Sequence, residues 1–333
     1  MLDLKSFMNN EIINIADTAK RFYLGNRKGQ SFMLSMASSL AKSAKVREQY
    51  GKNGTNIPPF LIASVATDCN LRCTGCYAWA NGGCAGENST QEQLGTKDWK
   101  RIFSEASDIG ISFILIAGGE PFLRREIIEA ASEFPNIIFP IFTNGTMMDE
   151  KYLELFDQYR NLIPVLSIEG DAESTDKRRG NGVSSKIAST AEVLKNKGIL
   201  YGASITVTTE NKNAVTENNF ISELHKNGCG LVFFVEYVPV DKSTEHLILN
   251  DDEISQLAQR IETLRNDKNN KGMIMLSFPG DEDAMGGCLA AGRGFFHINA
   301  TGGAEPCPFS PYSEMNLKEK SLVEVLESSF LKK

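Results

Sequence analysis

The sequence predicts an α/β fold in which strands and helices alternate along a parallel sheet. Between residues 60 and 240, six short runs rich in β-branched and aromatic residues alternate with five segments of helical periodicity. The strand segments are apolar at nearly every position, as expected when both faces of a sheet are covered. Such a fold places its functional groups at the carboxyl ends of the strands.

The elements follow one another in a regular order. The strands are predicted at FLIASVAT, ISFILIA, NIIFPIF, LIPVLSI, LYGASITV and GLVFFVEYVPV. The helices between them are predicted at KDWKRIFSEASDIG, RREIIEAASEF, DEKYLELFDQYR, SSKIASTAEVLKNKG and ENNFISELHKNG. Six such units can lie as an open sheet or close partway into a barrel, and periodicity alone does not separate the two.

Two regions flank this alternation. Residues 1–57 predict a helical extension, because apolar residues recur at three- and four-residue spacing in IINIADTAKRF and FMLSMASSLAKSAKVREQY. Residues 246–333 predict a small α+β domain: a polar helix, a strand at MIMLSFP, a hairpin around Gly302 and Gly303, and a final helix. The core domain is then expected at residues 58–245.

The charge balance limits the classes of partner. The chain has 35 basic and 42 acidic residues, a net charge of -7, which disfavours nucleic acid. No apolar stretch reaches the roughly 18 residues of a membrane span, and the N-terminus does not have the pattern of a secretory signal. We therefore expect a cytoplasmic protein without a nucleic-acid or membrane partner, whose thiols stay reduced.

Three of the seven cysteines lie in CNLRCTGC, directly after the first predicted strand: Cys69, Cys73 and Cys76. A structural zinc site needs a fourth ligand, for which Cys84 is the nearest candidate. An iron–sulfur cluster held by three thiolates leaves one iron open to bind a small molecule. Clustered thiols in a reducing compartment indicate metal binding or chemistry.

The spacing CxxxCxxC, followed by Tyr77, resembles the signature of the radical S-adenosylmethionine (SAM) enzymes. The resemblance implies a partial (β/α)6 barrel in which Cys69, Cys73 and Cys76 are catalytic and hold a [4Fe-4S] cluster. SAM would chelate the open iron, and an electron donor such as flavodoxin or ferredoxin would supply the electron that cleaves it. The resulting 5′-deoxyadenosyl radical would abstract hydrogen from a substrate.

Further motifs at successive strand ends extend the resemblance over residues 60–240. GGEP would approach the methionyl group, with backbone carbonyls or the Glu accepting from its ammonium, and TNG would border the nucleoside. SIEG would reach the ribose or carboxylate, and DKRRG would pair an arginine with the carboxylate. The implied SAM contacts are Tyr77, Gly118, Gly119, Glu120, Pro121, Thr143, Asn144, Ser167, Glu169, Arg179 and Val207.

Some of these features also have a purely structural explanation. An ordinary βα turn accounts for GGEP, a helix cap for TNG, and core packing for Val207. Glu169 stands where the family commonly has Asp, and spacing alone favours Arg179 over Arg178. At the end of the sixth strand, Glu236 and Tyr237 are expected to face the substrate.

The segment from Cys288 to Cys307 resembles the opening of the SPASM and twitch extensions, with Gly302 five positions before Cys307. The resemblance implies an auxiliary iron–sulfur cluster on these cysteines, and a similar fold without metal is the alternative. His297, at an alternating strand position, is expected to pack rather than to bind metal.

The implied substrate is a peptide, a protein or a small molecule. The alternative to an enzyme is a zinc or iron–sulfur scaffold for electron transfer. That alternative requires Cys84 as a ligand and leaves GGEP, SIEG and DKRRG without a shared purpose.

Overall fold

Strands and helices alternate through the middle of the computed structural model, which describes residues 17–18, 20–24, 27–84, 92–239, 242–329 and 331. The strands are β1 (Phe60–Ala66), β2 (Phe113–Gly118), β3 (Phe139–Thr143), β4 (Leu162–Ile168), β5 (Tyr201–Val207), β6 (Cys229–Glu236), β7 (Ile274–Phe278), β8 (His297–Ile298), β9 (Gly303–Glu305) and β10 (Met315–Asn316).

The α-helices are α1 (Arg27–Lys52), α2 (Tyr77–Ala80), α3 (Thr96–Asp108), α4 (Arg125–Ser132), α5 (Glu150–Gln158), α6 (Ala172–Arg179), α7 (Val183–Asn196), α8 (Lys212–Val215), α9 (Asn218–Lys226), α10 (Asp251–Asn266) and α11 (Leu322–Glu327). Short 3-10 helices occur at Pro121–Leu123, Lys242–Leu247, Lys268–Asn270 and Gly280–Met285. Among the described residues, none of the helices is long and apolar enough to cross a bilayer.

The ten strands form one sheet in the order β10-β9-β8-β1-β2-β3-β4-β5-β6-β7. Strands β1 to β7 run parallel to their neighbours, and β8 runs parallel to β1. The hairpin partner β9 and then β10 are antiparallel. The predicted α/β fold is confirmed, and the six predicted strands are β1 to β6.

The sheet curls so that the inner faces of distant strands meet. The rings of Phe142 on β3 and Phe233 on β6 have centroids 5.0 Å apart, although two strands separate β3 from β6. Phe295 bridges a wider gap, since its ring lies 5.1 Å from Phe60 on β1 and 5.8 Å from Phe278 on β7. Because β8 to β10 continue beyond β1, the curl does not close, and the fold is a partial barrel.

The main core lies between the outer face of this sheet and the helices. Trp99 and Phe103 on α3 pack there with the buried side chains of β2. Side chains alternate between the two faces of a strand. Leu61, Ala63 and Val65 of β1 accordingly point into this core, whereas Phe60, Ile62 and Ser64 belong to the inner face.

The C-terminal region shares this sheet. The predicted strand MIMLSFP is β7 and pairs with β6, while the predicted hairpin is β8–β9 and pairs with β1 at the other side. The strands of the C-terminal region therefore extend the core sheet on both sides. An uncovered strand edge exposes unpaired backbone N–H and C=O groups. Strands β7 and β8 form hydrogen bonds with these groups on β6 and β1, which explains why they join the sheet.

The flanking helices differ partly from expectation. The stretch IINIADTAKRF lies mostly outside the described residues, whereas FMLSMASSLAKSAKVREQY falls within α1. Arg47 of α1 donates to Ser112 Oγ at 2.9 Å, just before β2 begins, so α1 covers the amino-terminal end of the sheet. The final helix is short and spans Leu322–Glu327.

Candidate active site

The three clustered cysteines lie in a loop between β1 and α2, at the carboxyl end of the parallel strands. Cys69, Cys73 and Cys76 are free thiols with partial exposure. The Leu71 amide donates to Cys69 Sγ at 3.4 Å, and the Cys76 amide donates to the Cys73 carbonyl at 3.3 Å. The loop, residues 69–76, is called the cysteine loop below.

Burial and charge act on these thiols in opposite directions. Burial raises the pKa of Cys69 to about 11, and the neighbouring Glu120 and thiols add to the effect. Burial also raises the pKa of Cys73, but the positive charges of Arg179 and Arg178 oppose it. Arg179 Nη1 lies 3.9 Å from Cys73 Sγ. The Arg179 guanidinium is therefore close enough to balance the negative charge of a thiolate at Cys73.

The cysteine loop is fixed from two sides. Arg178, on α6, donates from Nε to the Thr74 carbonyl at 3.2 Å, and its own carbonyl accepts from the Thr74 amide at 2.9 Å. On the other side the buried Tyr237 lies against Gly75, which has a φ of +67°. Sequence reasoning missed Arg178, because two adjacent arginines give no signal of which one holds the loop.

The GGEP motif packs against the start of the cysteine loop. The Gly119 amide donates to the Ala66 carbonyl and the Glu120 amide to the Asp68 carbonyl, both at 2.8 Å. A Cβ on Gly119 would collide with the Asp68 carbonyl oxygen, and Gly118 has a φ of +129°. The glycines are thus required by the close approach of these two turns, independently of any ligand.

Glu120 ties the ends of two strands together. Its carboxylate accepts from Thr143 Oγ1 at 2.7 Å, from the Asn144 amide at 2.8 Å and from the Phe122 amide at 3.0 Å. Burial raises its pKa while these hydrogen bonds lower it. Most of the lone-pair positions are occupied. Of the two acceptors expected for an ammonium group, the backbone carbonyls of GGEP are therefore the better candidates.

Glu169, at the end of β4, sits between two arginines. Arg178 Nη1 and Arg179 Nη2 each lie 2.5 Å from Glu169 Oε1. The carboxylate is 2% exposed, and Oε2 has no hydrogen-bond partner in the described part of the chain. A buried acceptor of this kind normally finds a partner, so Oε2 is free to accept from a bound polar group. Arg179 would have to share its guanidinium between Glu169 and a ligand carboxylate.

The other residues predicted to contact SAM lie at the same level. Pro121 is buried and opens a 3-10 helix, and Ser167 is half-buried on β4. Thr143 and Asn144 are buried and engage Glu120. Val207 is fully buried in the main core, so the structure favours packing for its side chain and leaves only its backbone for adenine.

Tyr77 connects the cysteine loop to the C-terminal region. Its ring packs edge-on against Phe309 with centroids 5.2 Å apart. Burial raises the pKa of Tyr77, and nearby thiols, including Cys84 and Cys307, contribute. Cys288 lies close enough to Cys307 to raise the pKa of that thiol further, beyond the effect of burial. The two C-terminal thiols therefore interact electrostatically.

Cys84 lies close to the first three thiols. It is buried, and a Cβ on Gly119 would lie 3.0 Å from its Sγ. Burial raises the pKa of Cys84, and Cys76 and Cys69 raise it further. Among the described residues, no three His, Cys, Asp or Glu side chains are arranged to hold one metal ion. A structural zinc site needs four ligands, whereas three thiolates can hold an iron–sulfur cluster that keeps one iron open.

Together, a curled sheet of parallel strands and a three-thiol loop at the carboxyl end of β1 define a partial α/β barrel with its reactive loop in the usual place. Residues 64–217 match the family model described as "Radical SAM superfamily". The chain carries the radical SAM domain of that superfamily and is a radical SAM enzyme.

Curated relatives match over most of the chain. The AdoMet-dependent heme synthase of Methanosarcina barkeri is 24% identical over 298 residues, which cover 83% of this chain and 84% of that protein. The PqqA peptide cyclase of Gluconobacter oxydans is 23% identical over 259 residues, 75% of this chain and 70% of that protein.

Solved structures share the fold. SuiB of Streptococcus suis, bound to S-adenosylmethionine, matches with a TM-score of 0.69 at 18% identity, over 85% of this chain and 69% of that one. The structure titled "Native anSMEcpe with bound AdoMet" has a TM-score of 0.63 at 17% identity, and the match covers 83% of both chains.

Proposed function

We propose that this radical SAM enzyme holds a [4Fe-4S] cluster on Cys69, Cys73 and Cys76 and binds SAM at the open iron. When bound, the two cofactors would supply the 5′-deoxyadenosyl radical that abstracts hydrogen from a substrate inside the barrel. The observation that carries this proposal is the loop of three partly exposed thiols beside the Arg179 guanidinium. Thiolates are the ligands that iron–sulfur clusters use.

The chain's own residues would then divide the work of binding. The backbone of GGEP would accept from the SAM ammonium, and the unpartnered Oε2 of Glu169 would accept from a ribose hydroxyl. Arg179 would balance the negative charge at Cys73 and the SAM carboxylate. Tyr77, Thr143, Asn144, Ser167 and the backbone at Val207 would border the cosubstrate, which stays a prediction from the family motifs.

The substrate class to test first is a tetrapyrrole. One relative, which aligns over 84% of its own length, is named a heme synthase, and a second is named "Fe-coproporphyrin III synthase". A peptide is the second candidate, because a peptide cyclase also aligns over most of the chain. Titration with iron coproporphyrin III should give a saturable shift of the porphyrin absorption band, and no shift would favour the peptide.

The finer features inherited from the family belong to the same proposal. Cys288 and Cys307 would contribute to an auxiliary iron–sulfur cluster, which the electrostatic effect of Cys288 on the pKa of Cys307 supports. A flavodoxin or ferredoxin would supply the electron, and the protein would work in the cytoplasm.

Iron and acid-labile sulfide per chain, after anaerobic reconstitution, test the proposal directly. The wild type should hold at least about four irons, and a Cys69→Ala, Cys73→Ala, Cys76→Ala variant should hold about four fewer. Iron remaining in the variant would support the auxiliary cluster. The reduced wild type should convert SAM to 5′-deoxyadenosine and the variant should not. Equal iron content in both proteins would refute the proposal.

A further inference from the structure

Three polar side chains on adjacent strands form a hydrogen-bonded line across the inner face of the barrel. Ser64 Oγ on β1 lies 2.7 Å from His297 Nε2 on β8. His297 Nδ1 in turn lies 2.7 Å from Glu305 Oε2 on β9. Asn299 Nδ2 donates to the other carboxylate oxygen, Oε1, at 2.6 Å. None of the motifs described above includes these residues.

The pairing of the strands explains why the three side chains share a face. His297 pairs with Ile62 across β8 and β1, and Glu305 pairs with His297 across β9 and β8. Directly paired residues point to the same side of a sheet, as do residues two apart on one strand. Ser64 is two residues from Ile62 and four from Phe60, whose ring meets Phe295 inside the barrel.

The line opens toward the barrel at one end. His297 is 4% exposed and Glu305 is 5% exposed, whereas Ser64 is only partly buried. Ser64 is therefore the most accessible of the three side chains.

A proton relay needs a particular direction for each hydrogen bond in this line. When Glu305 Oε2 is the acceptor at this 2.7 Å contact, His297 Nδ1 carries a hydrogen and donates to it. A neutral imidazole with hydrogen on Nδ1 has a lone pair on Nε2, which accepts from Ser64. Glu305 holds the ring in this tautomer, as carboxylates do behind catalytic histidines.

We propose that Ser64, His297 and Glu305 form a proton relay that takes a proton from an O–H, N–H or S–H group of a substrate bound in the barrel. The substrate proton passes to Ser64 Oγ while the Ser64 proton passes to His297 Nε2. The products are the deprotonated substrate group, an intact serine hydroxyl and an imidazolium paired with the Glu305 carboxylate. Ser64 is the residue that touches the substrate, and His297 and Glu305 act through it.

The proposal rests on the proposed function only in placing the substrate inside the barrel. The hydrogen-bonded line itself needs neither the cluster nor SAM. Its tests therefore use probes that report on the relay alone, on the reconstituted full-length protein.

The tautomer of His297 is the first test. The chain has 3 histidines, so selective nitrogen-15 labelling gives a simple NMR spectrum. His297 should show hydrogen on Nδ1 and a hydrogen-bonded lone pair on Nε2. Ser64→Ala should shift the Nε2 resonance, while Ser204→Ala, on β5, should not. Hydrogen on Nε2 in the wild type would reverse the relay and overturn the proposal.

Diisopropyl fluorophosphate tests whether the relay can remove the serine proton. Ser64 Oγ should form a bond to phosphorus, fluoride should leave, and the serine proton should pass to His297 Nε2. Mass spectrometry should locate the label on Ser64. General-base assistance contributes about 100-fold or more, so His297→Asn, which keeps a donor toward Glu305, should slow labelling by about that factor. An unlabelled Ser64 in the wild type, or equal rates in the two proteins, would disprove the relay.

A second variant covers the case in which His297→Asn does not fold. Glu305→Gln keeps an acceptor for Nδ1 but removes the charge that stabilises the imidazolium, so labelling should slow there as well. Formation of 5′-deoxyadenosine is measured in the same wild-type preparation. A labelled Ser64 without 5′-deoxyadenosine supports the relay and counts against the proposed function. Formation of 5′-deoxyadenosine without a label on Ser64 supports the proposed function and contradicts the relay.

Discussion

The hydroxyl of Tyr237, at the end of β6, lies against Gly75 in the middle of the cysteine loop. A Cβ on Gly75 would come within 2.5 Å of Tyr237 Oη, which is buried and has no hydrogen-bond partner among the described residues. The end of β6 thus lies beside the cysteine loop, which follows β1. The position of the three thiols depends on this contact as well as on the loop's own sequence.

Gly75→Ala should displace the cysteine loop. The substitution places a side chain at a φ of +67° and against Tyr237, which together should cost about 2 to 4 kcal/mol of unfolding free energy. Iron content after reconstitution should fall. Gly82→Ala is the matched control, since Gly82 has a φ of +72° with nothing within 4 Å of its Cβ position. Equal effects of the two changes would rule out the contact with Tyr237.

Neutralising Glu169 should destabilise the protein strongly. Glu169→Gln leaves Arg178 and Arg179 without a buried counter-charge, and breaking a buried pair in this way costs about 3 to 5 kcal/mol. Urea unfolding measures the change. The neighbouring Lys177–Glu210 pair is exposed, so Glu210→Gln should cost no more than about 1 kcal/mol. A loss at Glu169 as small as at Glu210 would contradict the buried network.

Cys84→Ala should leave the first cluster intact. Its thiol is buried against Gly119 beside the other three, yet a cluster that binds SAM must keep one iron open. Iron content and 5′-deoxyadenosine formation should match the wild type, whereas Cys73→Ala should abolish both. Loss of metal in Cys84→Ala would instead favour a four-thiolate scaffold for electron transfer.

Phe295→Ala should weaken the curl of the sheet. The ring is fully buried between Phe60 and Phe278, on strands far apart in the sheet. Removing it should lower the free energy of unfolding by about 3 to 5 kcal/mol. Leu34→Ala, at a position that is 77% exposed on α1, should change it by less than about 0.5 kcal/mol. Thermal melting of both variants measures the change. A loss of stability in Phe295→Ala as small as in Leu34→Ala would contradict a role of the Phe295 ring in holding the curled sheet together.

The sequence predicted the elements whose pattern is local. Apolar runs identified β1 to β6, because buried parallel strands need apolar residues on both faces. Helix α6 was missed, since AESTDKRR has no apolar stripe. The helix forms because Asp171 caps it, accepting from the Ser174 amide at 2.8 Å, and because it carries the arginines that hold the cysteine loop.

Long-range pairing was not predictable from the sequence. The placement of β7 and β8 at opposite sides of the core sheet depends on strand registers that periodicity does not encode. For the same reason His297 was expected only to pack, although it meets Ser64, 233 positions away. The sequence led us to expect a ligand contact for Glu120. It did not reveal the hydrogen bonds that Glu120 accepts from Thr143, at the end of β3, and from Asn144, in the loop that follows.

The strand order also has a consequence for biosynthesis. Residues 274–316 supply β7 at one edge and β8 to β10 at the other. While a ribosome is still making that stretch, β1 and β6 are both unpaired margins of an otherwise formed sheet. Open margins of this kind recruit strands from other molecules. The nascent chain therefore passes through its most aggregation-prone stage late in translation, when a chaperone would protect it best.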